Sequence, residues 1–269
     1  MIGAAMLLSG CTEPSFGAYK SVTSQGRSTF HLWQGFSIGA IVIGAFTLLL
    51  ILWAALRFRA RGNDETLPRQ TQYHLPLEVT YTVIPILIVF ALFAATVVVE
   101  NKVTANPPPA TVIRVYAFQW GWQFTYPSTN FATPTVGFSI RGQETNTPEM
   151  VMPQGENVRI ILQSVDVVHG FYVRQFNFSR YALPGVQNIF TFNAQSTGTF
   201  FGQCTQLCGL YHSLMFFKVR VVTPAAYQQW LAAELAAAPI TSSIAASASV
   251  RQQLDSGVPV KPAIGAGVN

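Results

Sequence analysis

Charge is what this sequence has least of. Of its 269 residues only 10% are Asp, Glu, Lys or Arg, while half are hydrophobic. That balance suits a membrane-anchored chain better than a freely soluble one. The formal net charge of +5 comes without dense runs of Lys and Arg, so it reads as membrane topology, and no nucleic-acid partner is expected. Cysteine is scarce as well: there are three, and because Cys204 and Cys208 fall in one short stretch, Cys11 is left unpaired. No Cys-x-x-Cys-His occurs, which excludes a haem c fused to the tail.

What the sequence has in quantity is long apolar runs. Gly35 to Leu56 is 22 residues without a charge and Val79 to Val99 is 21; about 20 apolar residues span a bilayer. Pro85 interrupts the second run, which membrane helices tolerate when neighbours pack on them. Arg57, Arg59 and Arg61 crowd the connection, so it faces the cytoplasm and both termini face outward. The expected division is an N-terminal segment over 1–34, a transmembrane helical hairpin over 35–102, an all-β domain over 107–223 and an Ala-rich C-terminal helix and tail over 224–269. Leu8-Ser-Gly-Cys11 resembles a lipoprotein signal without a basic lead. Residues 12–34 read as a polar linker; His31 and Trp33 at its end suit the membrane interface.

After three prolines at 107–109 the texture changes. Short runs rich in Val, Ile, Phe and Thr at 111–126, 136–140, 157–164, 189–193, 198–203 and 215–222 alternate with Gly, Pro and Asn clusters, which predicts a β-sandwich or barrel. Thr223-Pro224 reads as the cap and first position of a helix. Tyr116-Ala-Phe-Gln-Trp120-Gly-Trp122 is unusually aromatic and reads as a strand with aromatic core pairs.

Between the last two runs lies Cys204-Thr-Gln-Leu-Cys208-Gly-Leu-Tyr-His212-Ser-Leu-Met215, preceded by Asp166-Val-Val-His169. Soft sulfur beside imidazole is what copper prefers. A mononuclear blue-copper site uses one Cys; a second thiolate on the same tight loop can bridge two copper ions. His169 and His212 would each be a terminal ligand. Met215 would sit axially on one ion, and the Gln206 carbonyl would reach the other. Asp166 is the candidate for orienting His169. Other readings are a Cys204–Cys208 disulfide, a structural zinc site that leaves Met215 without a role, and chance proximity.

The stretch resembles the dinuclear copper (CuA) loop of cytochrome c oxidase subunit II, Cys-x-Glu-x-Cys-x-x-x-His-x-x-Met preceded by Asp-x-x-His. The resemblance implies a cupredoxin-like sandwich behind a two-helix hairpin. It implies a place beside subunit I, in company with subunit III, in a bacterial cell membrane, with the copper domain on the outer face. Electrons would arrive from cytochrome c or another periplasmic donor and pass to subunit I, where oxygen becomes water and protons are pumped. It further implies that Trp120 is the electron entry, Trp122 being packing, and that Glu78 serves the mouth of a proton pathway; His74 nearby would be interfacial. Two departures stand out. Gln206 replaces a Glu whose carboxylate holds Mg²⁺ or Mn²⁺ at the subunit boundary, which weakens that site because hard cations favour charged oxygens. Pro184-Gly185-Val186 lacks the family's arginine after Pro-Gly, whose bond to subunit I is then absent or made by Arg180. Between Pro107 and Val222 there are four acidic and seven basic residues, a poor match to a basic cytochrome c. The alternatives are a copper subunit of another respiratory reductase, or a copper-free subunit II of a quinol oxidase, which would lack these ligands.

Overall fold

The computed structural model describes residues 14–59, 70–127, 136–143 and 145–237. Cys11, Arg61 and the tail beyond residue 237 lie outside the described residues, and with them the lipoprotein reading and much of the basic connection. The chain divides into two units, one carrying His31–Asn101 and the other Tyr19–Phe30 and the residues from Lys102 onward.

The first unit holds most of two long helices, α1 (Ser24–Arg57) and α2 (Leu75–Thr104), whose outer ends at residues 24–30 and 102–104 belong to the second. Each contains an apolar window long enough to cross a membrane, none of it buried inside the chain. Polar side chains in these helices turn inward on the backbone: Thr47 bonds the carbonyl of Ile43, and Thr96 that of Leu92, both at 2.9 Å. This leaves neither hydroxyl unsatisfied in apolar surroundings. Pro85 sits inside α2 without ending it. At the start of α2, Glu78 accepts the His74 N–H at 2.9 Å, and His74 Nδ1 accepts that of Leu77 at 3.3 Å. Two of the orphan donors of a helix N-terminus are satisfied in this way.

The second unit is a sandwich of two five-stranded sheets. One sheet contains β1 (Thr111–Phe118), β2 (Gly121–Pro127), β3 (Val136–Gln143), β5 (Val158–Ser164) and β8 (Asn188–Phe192), in the order β3-β2-β1-β5-β8. The other contains β4 (Glu149–Pro153), β6 (His169–Val173), β7 (Phe178–Ala182), β9 (Gly198–Cys204) and β10 (Phe216–Val222), in the order β4-β10-β9-β6-β7. Burial alternates strictly along β5, with Val158, Ile160 and Leu162 inward, as a half-buried strand requires. Between the sheets the core is aromatic. Phe217 stacks on Phe171 at 4.8 Å and meets Trp122 edge-on at 5.0 Å.

Strands β4, β6 and β7 were not expected from the sequence. They are five residues each and lack the long β-branched runs that marked the others. The polar linker also needs correction, since α1 begins at Ser24, well inside it. Thr23 caps the helix, its hydroxyl accepting the Gly26 N–H at 3.0 Å. It is fully buried, bridges Ala194, and is flanked by Val22 N–H on the Gln175 carbonyl and Ser24 N–H on that of Asn193, both at 3.0 Å. Gly26 is required by contact: a Cβ there would lie 2.0 Å from the Phe176 carbonyl oxygen. The arm is therefore part of the sandwich unit. Helix α3 (Pro224–Ala237) follows β10 with Thr223 as cap, its hydroxyl accepting the Ala226 N–H at 3.3 Å.

Register gathers the loops at one end. Ala117 of β1 pairs with Ser164 of β5, Cys204 of β9 with Phe171 of β6, and Gln203 of β9 with Phe216 of β10. The turn after β1, the loop between β5 and β6, and the loop between β9 and β10 therefore converge. The helical pair and the sandwich with ligand loops at one end match the fold class expected from the sequence.

Candidate metal centre

Cys204 closes β9 and His169 opens β6, so strand pairing fixes both. Cys208 lies on the loop, His212 begins a short 3-10 turn (His212–Leu214), and Met215 is the residue before β10. The two sulfurs are 3.8 Å apart. Each has its own imidazole: Cys204 Sγ lies 4.0 Å from His169 Nδ1, and Cys208 Sγ lies 3.5 Å from His212 Nδ1. Met215 Sδ is 3.9 Å from Cys208 Sγ, and the Gln206 carbonyl oxygen is 3.3 Å from Cys204 Sγ. The ligand atoms of His169, Cys204 and Cys208 lie within 4.8 Å of one another. His169, Met215 and both cysteines are buried. The two cysteines are free thiols, not the disulfide considered above.

Electrostatics separate the thiols. Burial raises both. At Cys204, hydrogen bonds from His169 and the Gly170 N–H outweigh it and bring the thiol down to about 6. At Cys208, burial is joined by the charge on Cys204, and the thiol is pushed up to about 12. A soft metal must displace the proton of a thiol held this high, as thiolate ligation requires.

Asp166 accepts at Oδ1 from His169 Nε2 at 2.8 Å and from the Val167 N–H at 2.6 Å. Burial opposes its charge, but the His169 bond and the backbone donors prevail and lower its pKa. The same contact fixes the ring so that Nδ1 faces Cys204. His169 is itself raised: burial pulls it down, while its bonds to Cys204 and Asp166 pull it up further. Ser164 Oγ donates to the Val167 carbonyl and holds this loop in shape.

Trp120 sits in the turn between β1 and β2. Its indole N–H reaches the Cys208 carbonyl at 3.0 Å, and its ring packs edge-on against Tyr211 at 5.0 Å. Trp122 is fully buried, and its indole faces the Met215 carbonyl at 3.4 Å. Gly209 has φ +116°, and a Cβ there would lie 3.0 Å from the Trp120 ring; glycine allows both the backbone angle and the close approach. Sequence reasoning missed Gln119, which bonds both Asp166 and Cys208, and Gly170, whose Cβ would strike the Thr205 hydroxyl at 2.3 Å. The Gln-Trp pair was the available signal for the first. Glu78 belongs to the helical unit, where it caps α2.

The donor set excludes hard cations and suits copper: thiolates and imidazoles with a thioether within reach. Fold and site together define a class, that of β-sandwich copper domains whose ligands gather on loops at one end, here in a chain that also carries two membrane-length helices. The family described as "Cytochrome C oxidase subunit II, periplasmic domain" matches residues 111–222. Cytochrome c oxidase subunit 2 of Mycobacterium tuberculosis is 32% identical, over 86% of this chain and 79% of that protein. A probable cytochrome c oxidase subunit 2 of Streptomyces avermitilis is 34% identical, over 82% and 81%. The crystal structure of the periplasmic domain of subunit II of cytochrome oxidase of Bradyrhizobium japonicum has 30% identity, covers 48% of this chain and 95% of its own, and gives a TM-score of 0.42. The chain belongs to the cytochrome c oxidase subunit II family.

Proposed function

We propose that the copper centre of this oxidase subunit is dinuclear, held by His169, Cys204, Cys208, His212, Met215 and the Gln206 carbonyl, and that it is the point where electrons enter the complex. One observation carries the reading: two sulfurs 3.8 Å apart, each with one imidazole within 4.0 Å. A mononuclear site has use for only one of those thiolates. When loaded, such a centre accepts and releases one electron at a time. The chain's own residues then bury the ligands, orient His169 through Asp166, and offer the Trp120 indole as the edge nearest a donor. Copper titration of the full chain should saturate at two ions, and Cys208→Ser should abolish the second. Saturation at one ion in the unaltered chain would refute the dinuclear assignment.

The electrons pass on to subunit I of the complex, with subunit III as a further partner. The domain faces outward from a bacterial cell membrane, with both termini on that side. Glu78, held at the N-terminus of α2, serves proton uptake; Glu78→Ala should slow turnover of the assembled complex without changing its copper content. With Gln206 in place of Glu, any Mg²⁺ or Mn²⁺ site at the subunit boundary is weakened, because hard cations favour charged oxygens.

The donor is not a basic cytochrome c. Leu207 and Leu210 on the loop are each 77% exposed, and the carboxylate of Asp166 is turned onto His169. A donor with an apolar or acidic contact face, a tethered one, or a copper protein fits this surface. Oxidation of a basic cytochrome c should show no strong enhancement at low salt, and such an enhancement would refute the assignment. An acidic exterior would also suit Gln206, which does not titrate; loss of copper by about pH 4, where carboxylates protonate, would count against that second reading.

A further inference from the structure

Gln119 forms a hydrogen-bond link between the two halves of the ligand set without being a ligand itself. It occupies the two-residue turn between β1 and β2, next to Trp120. Its backbone N–H donates to Asp166 Oδ2 at 2.7 Å, and its side-chain Nε2 donates to the Cys208 carbonyl at 2.7 Å. A carbonyl only accepts, so the amide must present its NH₂ there. Asp166 is the residue that fixes His169, and Cys208 carries one of the two sulfurs. A single residue therefore joins the loop that holds one imidazole to the loop that holds the second thiol, across 47 and 89 residues of sequence.

The surroundings fit such a latch. Trp120 places a second donor on the same Cys208 oxygen, and Trp122, two residues on, supports the Met215 carbonyl. The β1–β2 hairpin thus contacts the copper loop at Cys208 and at Met215. Gly209 lets the turn lie flat on the loop: a Cβ would come within 3.2 Å of Gln119 Nε2 as well as 3.0 Å of the Trp120 ring. The loop from Thr205 to Met215 contains no strand, only the 3-10 turn His212–Leu214. Without strand pairing of its own, its position depends on contacts of this kind.

We propose that Gln119 is a positioning residue for the metal centre. Its amide holds the Cys208 half of the ligand set in register with the His169 half, and so sets how tightly copper is held and at what potential it accepts an electron. The proposal rests on the copper reading above. Gln119 touches neither metal nor donor in this role; it acts through Cys208 and Asp166. Any substitution other than proline leaves its backbone N–H on Asp166, so variants isolate the amide.

The test uses the full chain loaded with copper and reads two quantities, the rate of copper loss to a chelator and the midpoint potential. Gln119→Leu keeps the bulk and removes the donor. It should release copper about tenfold faster or more, the usual consequence of losing a group that supports a ligand, and its potential should move. Gln119→His, which restores a donor of similar reach, should return both towards the original values. Gln123→Leu, four residues along on β2, where among the described residues the side-chain amide bonds Thr125 and Ser139, should change neither. Original values for both quantities in Gln119→Leu would overturn the proposal. If that variant does not fold, Gln119→Asn decides: its amide is one methylene too short to reach Cys208, and original values there overturn the proposal equally. A chain that binds no copper before substitution would instead refute the copper reading.

Discussion

The two ends of the sandwich are built on different principles. At the end carrying α3, large rings fill space: Tyr126 stacks on Phe138 at 4.9 Å and meets Trp230 edge-on at 5.0 Å, while its hydroxyl bonds both the N–H and the carbonyl of Val151. At the ligand end, the loops are held by polar contacts that converge on a few atoms: the Cys208 carbonyl, the Asp166 carboxylate and the two sulfurs. Strand β10 runs from one end to the other, from the residue after Met215 to the residue before Thr223. The lesson is a division of labour. Packing at one end stabilises the fold, and directed hydrogen bonds at the other fix a geometry that packing alone would leave loose.

That division can be broken experimentally. The largest effect should come from Cys208→Ser, which removes one of the two sulfurs 3.8 Å apart and, if the proposed dinuclear assignment holds, should destroy the dinuclear signal. The thermal midpoint of the metal-free chain should move little, and a large fall there would mean that the ligand end also carries the fold. Next, Tyr126→Ala should cost about 3–5 kcal/mol in denaturant unfolding, with the copper spectrum of the folded fraction unchanged; an altered spectrum would show that the ends are coupled.

A smaller effect concerns alkaline stability. Burial pushes Tyr227 up to about 12, partly offset by a bond to Thr111. A phenol whose pKa is higher in the folded chain favours folding fully below its unfolded value of about 10. That contribution is lost as pH rises through the folded value, because the unfolded chain ionises first. Tyr227 should therefore contribute a fall of up to about 3 kcal/mol between roughly pH 10 and 12, and Tyr227→Phe should remove that share without touching copper, leaving the share of Tyr126, which burial also raises. The smallest structural effect should come from Trp120→Phe. The unfolding midpoint should hold and copper should be lost somewhat faster, because the Cys208 carbonyl loses its indole donor, while electron uptake measured at full copper loading slows; an unchanged rate would remove Trp120 from the entry route.

The same contrast explains what could be read in the sequence. Spacing along one loop identified Cys204, Cys208, His212 and Met215 as a soft donor set, because those residues are neighbours in the chain. His169 followed from Asp-x-x-His. Long uncharged runs marked both apolar helices, and the β-rich runs marked most of the strands. Gln119 was not legible as a support, since its partners lie far along the sequence and the neighbouring Trp120 marked the turn without revealing those bonds. The arm before α1 read as a linker for a related reason. Ser21, Thr23 and Gln25 are polar yet buried, and their partners include the distant backbone groups of Phe176 and Asn193. Short strands such as β6, His-Gly-Phe-Tyr-Val, owe their pairing to β7 and β9 on either side rather than to their own composition.

Electron paramagnetic resonance of the copper-loaded full chain, with copper content measured on the same sample, tests the central claim most directly. Two copper ions per chain are expected, with a single unpaired electron whose hyperfine splitting is shared equally by both nuclei. One ion per chain with splitting from a single nucleus, or a site that takes zinc in preference to copper, would contradict it.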